Sequence, residues 1–305
     1  MLAYSLKRLV LAFLVVLTVS GITFTLTNAA IDPAKALAGE SATAGDIEAI
    51  RKAYGFDRSY LVQYFDWLGG ALTGEFGESF RMRRPVATLL AERLPVTMTL
   101  GLCALAFALL VSIPLGVVAA LKPNSGVDRV ALSISVLGQA LPTFWFALMM
   151  IILFGVVLRW LPISGSDTWL HFVMPSIALG YYATPAFMRL TRAGMIEVLA
   201  SDYIRTARAK GLRAPTVLFK HALRNAIIPV VSLAAVQFGF MLGGSVVIET
   251  IFALHGVGFL AWESISRSDI PVVQAIVLLI SLFYIVLTLL ADLLNAYLDP
   301  RIRVA

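Results

Sequence analysis

Three histidines, one cysteine and a modest set of carboxylates are the side chains here that could serve as base, nucleophile or metal ligand. Their spacing assembles none of those devices. His171, His221 and His255 are scattered over loop or interfacial positions. No H-E-x-x-H helix presents two imidazoles to zinc, and no G-x-S-x-G elbow exposes a serine nucleophile. Cys103 sits in an apolar run, where packing is its natural role, and a lone cysteine excludes an intramolecular disulfide framework. The phosphate-cradling loop G-x-x-x-x-G-K-[ST] is missing as well. The residues argue against catalysis by this chain.

Charge instead concentrates in residues 201–225. Ser201 or Asp202 is a good N-cap, and residues 203–210 are a short run of helix formers. Gly211 supplies a left-handed stop. Pro215 suits the first turn of a second helix, in which Val217, Leu218, His221 and Ala222 share one face. The spacing predicts a short helix, a sharp turn and a return helix at a membrane surface. Membrane insertion requires no such layout. The other physical reading is a basic amphipathic helix on anionic headgroups.

What must position this loop is an overwhelmingly apolar chain. Of 305 residues, 59% are hydrophobic and 14% are charged, and the mean hydropathy is +0.88. Soluble domains carry about 25% charged residues, so most of this surface cannot face water. The pI near 9.6 would also suit nucleic acid, but the basic residues collect beside apolar segments, the pattern of membrane topology.

A helix crossing about 30 Å of hydrocarbon needs roughly 20 apolar residues. Six segments qualify: 9–29, 94–121, 130–157, 172–190, 227–251 and 272–294. The first follows Lys7 and Arg8, outruns a signal-peptide core, and has no convincing cleavage site before Asp32, so it reads as a retained span. Lys122 and Arg129 flank the 2–3 link. The 4–5 link holds Arg189, Arg192, Arg205, Arg208, Lys210, Arg213, Lys220 and Arg224 against Glu197 and Asp202. Arg301 and Arg303 close the chain; on the other side the two short links hold Arg159 and Arg267 alone, and the long segment 30–93 is nearly charge-balanced, of a length that translocates largely regardless of charge. The positive-inside rule makes the basic face, with both termini, cytoplasmic. The expected fold is all-α and integral to the membrane. Residues 1–93 form a span plus an extracytoplasmic helical segment, and residues 94–305 form a five-span core whose cytoplasmic loop covers 191–226.

The outer segment has its own order. Asp46 is a candidate cap for a helix through Ala53 that stops at Gly55. Leu61, Tyr64, Phe65 and Leu68 follow helical spacing up to Gly69 and Gly70. A helical layer lying on the outer ends of the spans results, either a lid or a contact for an outside partner.

Within the spans, Gln139, Pro142 and Thr143, then Gln237, Gly239, Gly243, Gly244 and Ser245, are polar or helix-breaking. Such residues at bilayer depth face protein or a cavity. Gln139, Pro142, Gln237 and Ser245 are the candidates for lining a pathway, with interhelical hydrogen bonding as the plainer reading. Gly239-x-x-x-Gly243 also permits close helix packing. Glu249 and Asp292 lie near span ends, where solvation explains them. An ion-coupled secondary transporter would carry membrane-embedded acids or a matched pair of broken helices. The span centres here have almost no ionisable groups. A receptor or scaffold would explain the hydrophobicity but not the loop.

Aligned on Gly211, the loop resembles the EAA-x3-G-x9-IxLP signature of permease subunits of binding-protein-dependent ABC importers. Arg205, Thr206 and Ala207 stand at its first three positions and residues 221–224 at its last four. Arg205, Thr206, His221 and Arg224 depart from the signature. Those departures, and the wording Asp202-Tyr-Ile-Arg-Thr-Ala-Arg-Ala-Lys-Gly211, look like the branch that holds the first permease subunit of dipeptide, oligopeptide, glutathione and nickel importers. The likeness extends to Gly74-Glu-Phe-Gly-Glu-Ser79, to residues 237–249, to Arg267-Ser-Asp-Ile-Pro-Val-Val-Gln274 and to Asp299-Pro-Arg-Ile-Arg303. At His255-Gly-Val-Gly258 the branch usually has proline first, which questions one outer turn.

The resemblance implies a type I importer permease in a bacterial inner membrane. Its partners would be a second, different permease (a heterodimer), two cytoplasmic ATPase subunits that hold ATP and Mg, and an extracytoplasmic binding protein. This chain itself would bind no cofactor. Tyr203, Arg205, Thr206, Ala207, Arg208, Lys210, Gly211, His221 and Arg224 would form the ATPase-coupling surface, with charge from the cations and close approach through Ala207 and Gly211. The cargo stays open among peptides, glutathione, nickel chelates, haem, opines and sugars.

Overall fold

The computed structural model describes residues 2–39 and 42–298. The closing motif at residues 299–303, with Arg301 and Arg303, lies outside the described residues. The elements run α1 (Leu2–Ala30), α2 (Pro33–Ala38), α3 (Ala44–Ala53), α4 (Tyr60–Thr73), α5 (Val86–Leu121), α6 (Gly126–Ala140) and α7 (Thr143–Met150). A π-helical stretch, Ile151–Val157, continues α7. Then come α8 (Leu170–Tyr181), α9 (Thr184–Leu199), α10 (Asp202–Ala209), a second π-helical stretch at Thr216–Leu223, α11 (Arg224–Ala226), α12 (Ile228–Ile251), α13 (Val257–Ser266) and α14 (Ile270–Leu298). Among the described residues the β pairing is one isolated bridge, Glu78 with Pro85.

Among the described residues four helices are long and apolar enough to cross a bilayer, within Leu6–Ala29, Val86–Leu121, Ile228–Ile251 and Ile270–Leu294. The expected third span is not one helix. α6 and α7 meet at 99°, so this is a fifth crossing only as a bent pair. Leu141 is extended, with φ −103° and ψ 136°, because the ring of Pro142 disfavours helical backbone in the residue before it. The expected fourth span is likewise divided: α8 has 12 residues, and Pro185, which has no N–H to continue the ladder, opens α9.

α5 is the central post. Its buried face is built of small residues, Gly101, Ala104, Ala108 and Gly116. Against them sit α8, α9 and α12, so backbones approach closely, as small residues allow in membranes. At Gly180 of α8 the space for a Cβ is taken by the Ala104 carbonyl oxygen and the Phe107 ring. Gly138 of α6 meets the Tyr181 carbonyl in the same way, and the Tyr181 hydroxyl donates to the Ile134 carbonyl at 2.5 Å. The main core gathers Leu100, Met174, Phe187, Met241 and Ile248 around this post.

Local chemistry explains the outer segment, with two shifts of boundary. α3 is capped by Thr43, and Asp46 at N3 completes a capping box. Hydrogen bonds from the Thr43 hydroxyl and amide hold the Asp46 carboxyl below the usual carboxylate range. α4 runs through Gly69 and Gly70 and stops at Gly74, whose φ is +84°. Asp269, fully buried, then fastens the segment to the core. It accepts from the Ser79 hydroxyl at 2.5 Å and the Phe80 amide at 3.0 Å. Two stretches that looked like separate family signatures are thus one joint.

Candidate functional site

α10 sits on its own chain through Ile204 and Ala207. Both are buried with Val117 and Ala120 of α5, Met195 of α9, and Val217 and Ala222 of the second π-helical stretch. Its other face, with Tyr203, Arg205, Thr206, Arg208 and Lys210, is exposed, as is Arg224, and His221 is half-buried. The expected helix, turn and return are all present. Ser201 occupies the N-cap position, but its hydroxyl donates backward to the Val198 carbonyl at 2.6 Å and caps nothing.

The stop at Gly211 has a φ of +74°. The Gly211 amide donates to the Arg208 carbonyl at 2.9 Å, and the Leu212 amide to the Ala207 carbonyl at 3.3 Å. These are the paired bonds of a Schellman turn. No atom lies within 4 Å of where a Gly211 Cβ would be, so glycine is required by backbone angle rather than by space. Ala207 faces inward, and its small side chain serves the seating of α10 on α5. Asn225 closes the loop, donating to the Tyr203 hydroxyl at 2.8 Å. Arg205 pairs with Asp202 at 2.6 Å, which leaves Arg208 and Lys210 as the cations at the helix's C-terminal end.

Two residues outside the expected set hold the loop in place. Arg192 of α9 grips Asp128 of α6 with both prongs, Nε to Oδ1 at 2.7 Å and Nη2 to Oδ2 at 2.6 Å. The same carboxylate accepts from the Asn124 amide at 2.8 Å. The fork ties the 122–125 link to the helix that leads into the loop. Ser125, whose hydroxyl accepts from the Asp128 amide, makes a capping pattern of serine followed three residues later by an acid, a signal readable in the sequence.

In the membrane region, α7, the end of α8 and α12 enclose a groove of about 420 Å³ lined by Thr143, Tyr182, Gln237, Phe240, Gly244 and Val247, among others. Of the pathway candidates, Gln237 lines it, and exposed Pro142 makes the bend that brings Thr143 there. Gln139 is exposed on the last turn of α6 but is not part of the lining. Ser245 is a correction. It is fully buried, its hydroxyl donates to the Leu242 carbonyl of its own helix at 2.9 Å, and it is not part of this groove's lining. The paired glycines split as well: Gly239 packs against the Tyr284 ring, while nothing within 4 Å faces Gly243.

Glu249 also differs from expectation. It is wholly buried rather than solvated. Its Oε1 accepts from the Thr97 hydroxyl at 2.8 Å, and its Oε2 from the Phe259 amide at 2.9 Å. Thr97 in turn accepts from the Val257 amide at 2.8 Å. Glu249 and Thr97 together therefore cap the first turn of α13, with Gly256 and Gly258 making room for the carboxylate. The outer turn in question forms with histidine in place of proline, the His255 ring standing edge-on to Phe259 at 5.2 Å. Asp292 is no isolated end charge either, since it pairs with Arg8 at 2.8 Å and so sets the start of α1 beside the end of α14.

Comparison with known proteins fits this architecture. Residues 112–304 match the family described as binding-protein-dependent transport system inner membrane component. Residues 1–101 match the N-terminal part of such membrane components. The chain is 41% identical over 304 residues to the glutathione transport system permease protein GsiC of Pectobacterium atrosepticum, covering 99% of each chain. Against the protein of that name from Escherichia coli K12 the identity is 40% with the same coverage. Among solved structures, an inward-facing form of the MetNI methionine ABC transporter shares the fold. It superposes with a TM-score of 0.57 at 18% identity, over 69% of this chain and 96% of that one. A post of small residues, a capped basic loop at its end, a mainly apolar groove that holds Gln237 and matches along nearly the whole length lead to one assignment: this multi-pass inner-membrane protein belongs to the binding-protein-dependent transport family and is the permease component of an ABC importer.

Proposed function

We propose that this permease forms one half of a pathway for peptides or a related small solute such as glutathione, and that a separate ATPase drives it by docking on α10. The observation that carries the reading is the two-faced build of α10. Its main apolar residues, Ile204 and Ala207, are consumed by the chain's own core, while its exposed face carries Arg205, Arg208 and, beyond its end, Lys210 beside Tyr203, whose hydroxyl is held by Asn225. That disposition suits a groove in a soluble partner better than a bilayer surface. ATP and Mg belong to two such ATPase subunits. A different permease completes the pathway beside the Gln237 groove, and an extracytoplasmic binding protein delivers the solute. The fold then makes six crossings with both termini cytoplasmic, counting α6 with α7 as one and α8 with the start of α9 as another.

Gly211→Val tests the coupling. A β-branched residue held at positive φ costs about 1–2 kcal/mol and loosens the Schellman turn that aims α10. The variant is expected to insert and assemble, to keep ATP hydrolysis, and to lose most solute uptake in vesicles. Gly211→Asn, which tolerates the left-handed region, should retain most of it. Undiminished uptake by Gly211→Val would sink the proposal.

A further inference from the structure

α4 is 14 residues long, about 21 Å, too short to cross a bilayer. It does not sit on top of the spans. The Tyr64 hydroxyl meets the Ser20 hydroxyl at 2.8 Å, and Ser20 is fully buried ten residues short of the end of α1 at Ala30. At 1.5 Å per residue this contact lies roughly 15 Å below that end. The Phe24 ring packs against Tyr64 at 5.6 Å and Trp67 at 5.8 Å. α4 therefore lies beside α1 at a depth within the hydrocarbon thickness.

With Tyr64 and Trp67 turned to α1, the remaining surface of α4 divides in two. Leu61, Phe65 and Leu72 share a face and are 71%, 63% and 82% exposed. At the same depth α1 also exposes apolar side chains, Ile22 and Leu26. Asp66, the sole ionisable side chain in α4 apart from its tyrosines, points elsewhere. Together with Gln63 and Arg58 it lines a cavity of about 540 Å³ beneath the outer segment, and Arg58 pairs with it at 3.2 Å. Tyrosine and tryptophan on such a helix are the residues that favour the boundary between headgroups and acyl chains.

We propose that α4 is a non-spanning helix sunk in the outer leaflet beside α1, with Leu61, Phe65 and Leu72 against lipid acyl chains and Asp66 toward the cavity. The occupant is lipid because the exposed face lies beside the middle of a spanning helix, at hydrocarbon depth, and carries no polar group to recognise a protein. The placement in the outer leaflet, though not the embedding, rests on the orientation proposed above.

The test uses the whole importer with Cys103→Ala, reconstituted in phosphatidylethanolamine and phosphatidylglycerol vesicles. Leu61→Cys, Phe65→Cys, Leu72→Cys and Asp66→Cys each carry a nitroxide label. At 61, 65 and 72, collisions with oxygen should exceed those with a water-soluble nickel chelate, and the order should reverse at 66. Nickel access at 61, 65 and 72 matching that at 66 would overturn the proposal. So would exclusion of both reagents, which would mean a protein covers the face. A membrane-impermeant maleimide should reach Asp66→Cys from the extracytoplasmic side. Labelling only from the cytoplasmic side would overturn the leaflet assignment and the orientation, while the oxygen data judged the embedding separately.

Discussion

Glu249→Ala is expected to lower the thermal midpoint of the detergent-solubilised complex and the amount of permease recovered from membranes, at a cost of about 3 kcal/mol. The carboxylate receives the Thr97 hydroxyl and the Phe259 amide in a site with no exposure to solvent. Truncation leaves both donors unpaired, and a buried unpaired donor loses about 1–3 kcal/mol. It also removes the side-chain acceptor at the first turn of α13, where backbone N–H groups have no partner within the helix. Glu249→Gln keeps an acceptor oxygen and should recover part of the loss. Thr97→Val should destabilise in the same direction but combine with Glu249→Ala by less than the sum, because the two act as one network. An unchanged midpoint for Glu249→Ala would show that α13 holds without its cap.

Gly180→Val should be more damaging still, leaving little assembled permease in the membrane. A Cβ at this position runs into the Ala104 carbonyl oxygen, which is backbone and cannot rotate away, and the Phe107 ring closes the other side. Relief requires α5 and α8 to separate, which costs typically 1–3 kcal/mol and more where backbone must shift. Gly243→Val is the control, since a Cβ there meets nothing within 4 Å in this chain. Quantifying membrane-inserted protein for the two variants compares them directly. Equal recovery of both would refute the claim that the α5–α8 crossing depends on glycine.

Much of this was legible because it rests on local rules. Length and apolarity located four of the expected spans, the first, second, fifth and sixth, and Gly211 marked its stop because few other residues accept positive φ. The bend at Pro142 was not, and the reason is instructive. Pro95 and Pro114 both lie inside the unbroken α5, so proline alone does not decide between a continuous helix and a 99° turn; the neighbours that re-satisfy freed backbone groups do. Ser245 looked like a pathway residue because it is polar in an apolar run, yet serine can satisfy itself on its own helix. Glu249 was misjudged for the opposite reason: one partner is 152 residues away, a distance no periodicity reports. Asp128 carried a local capping signal with Ser125, but its fork with Arg192 spans 64 residues.

The second π-helical stretch makes the length of the loop matter more than its composition. Ala222, Ala226, Val230, Ala234, Phe238 and Leu242 are buried at strict four-residue steps, yet the next inward residue back along the chain, Val217, is five away. A π turn is an α turn holding one residue more. Losing that residue would let the stretch relax to ordinary helix, and each residue of helix carries a rotation of about 100°. The chain between Gly211 and Pro229 is thus a ruler with a fixed number of divisions: an indel there would turn the basic ridge away from its bearing, whereas many substitutions at exposed positions would leave it correctly aimed.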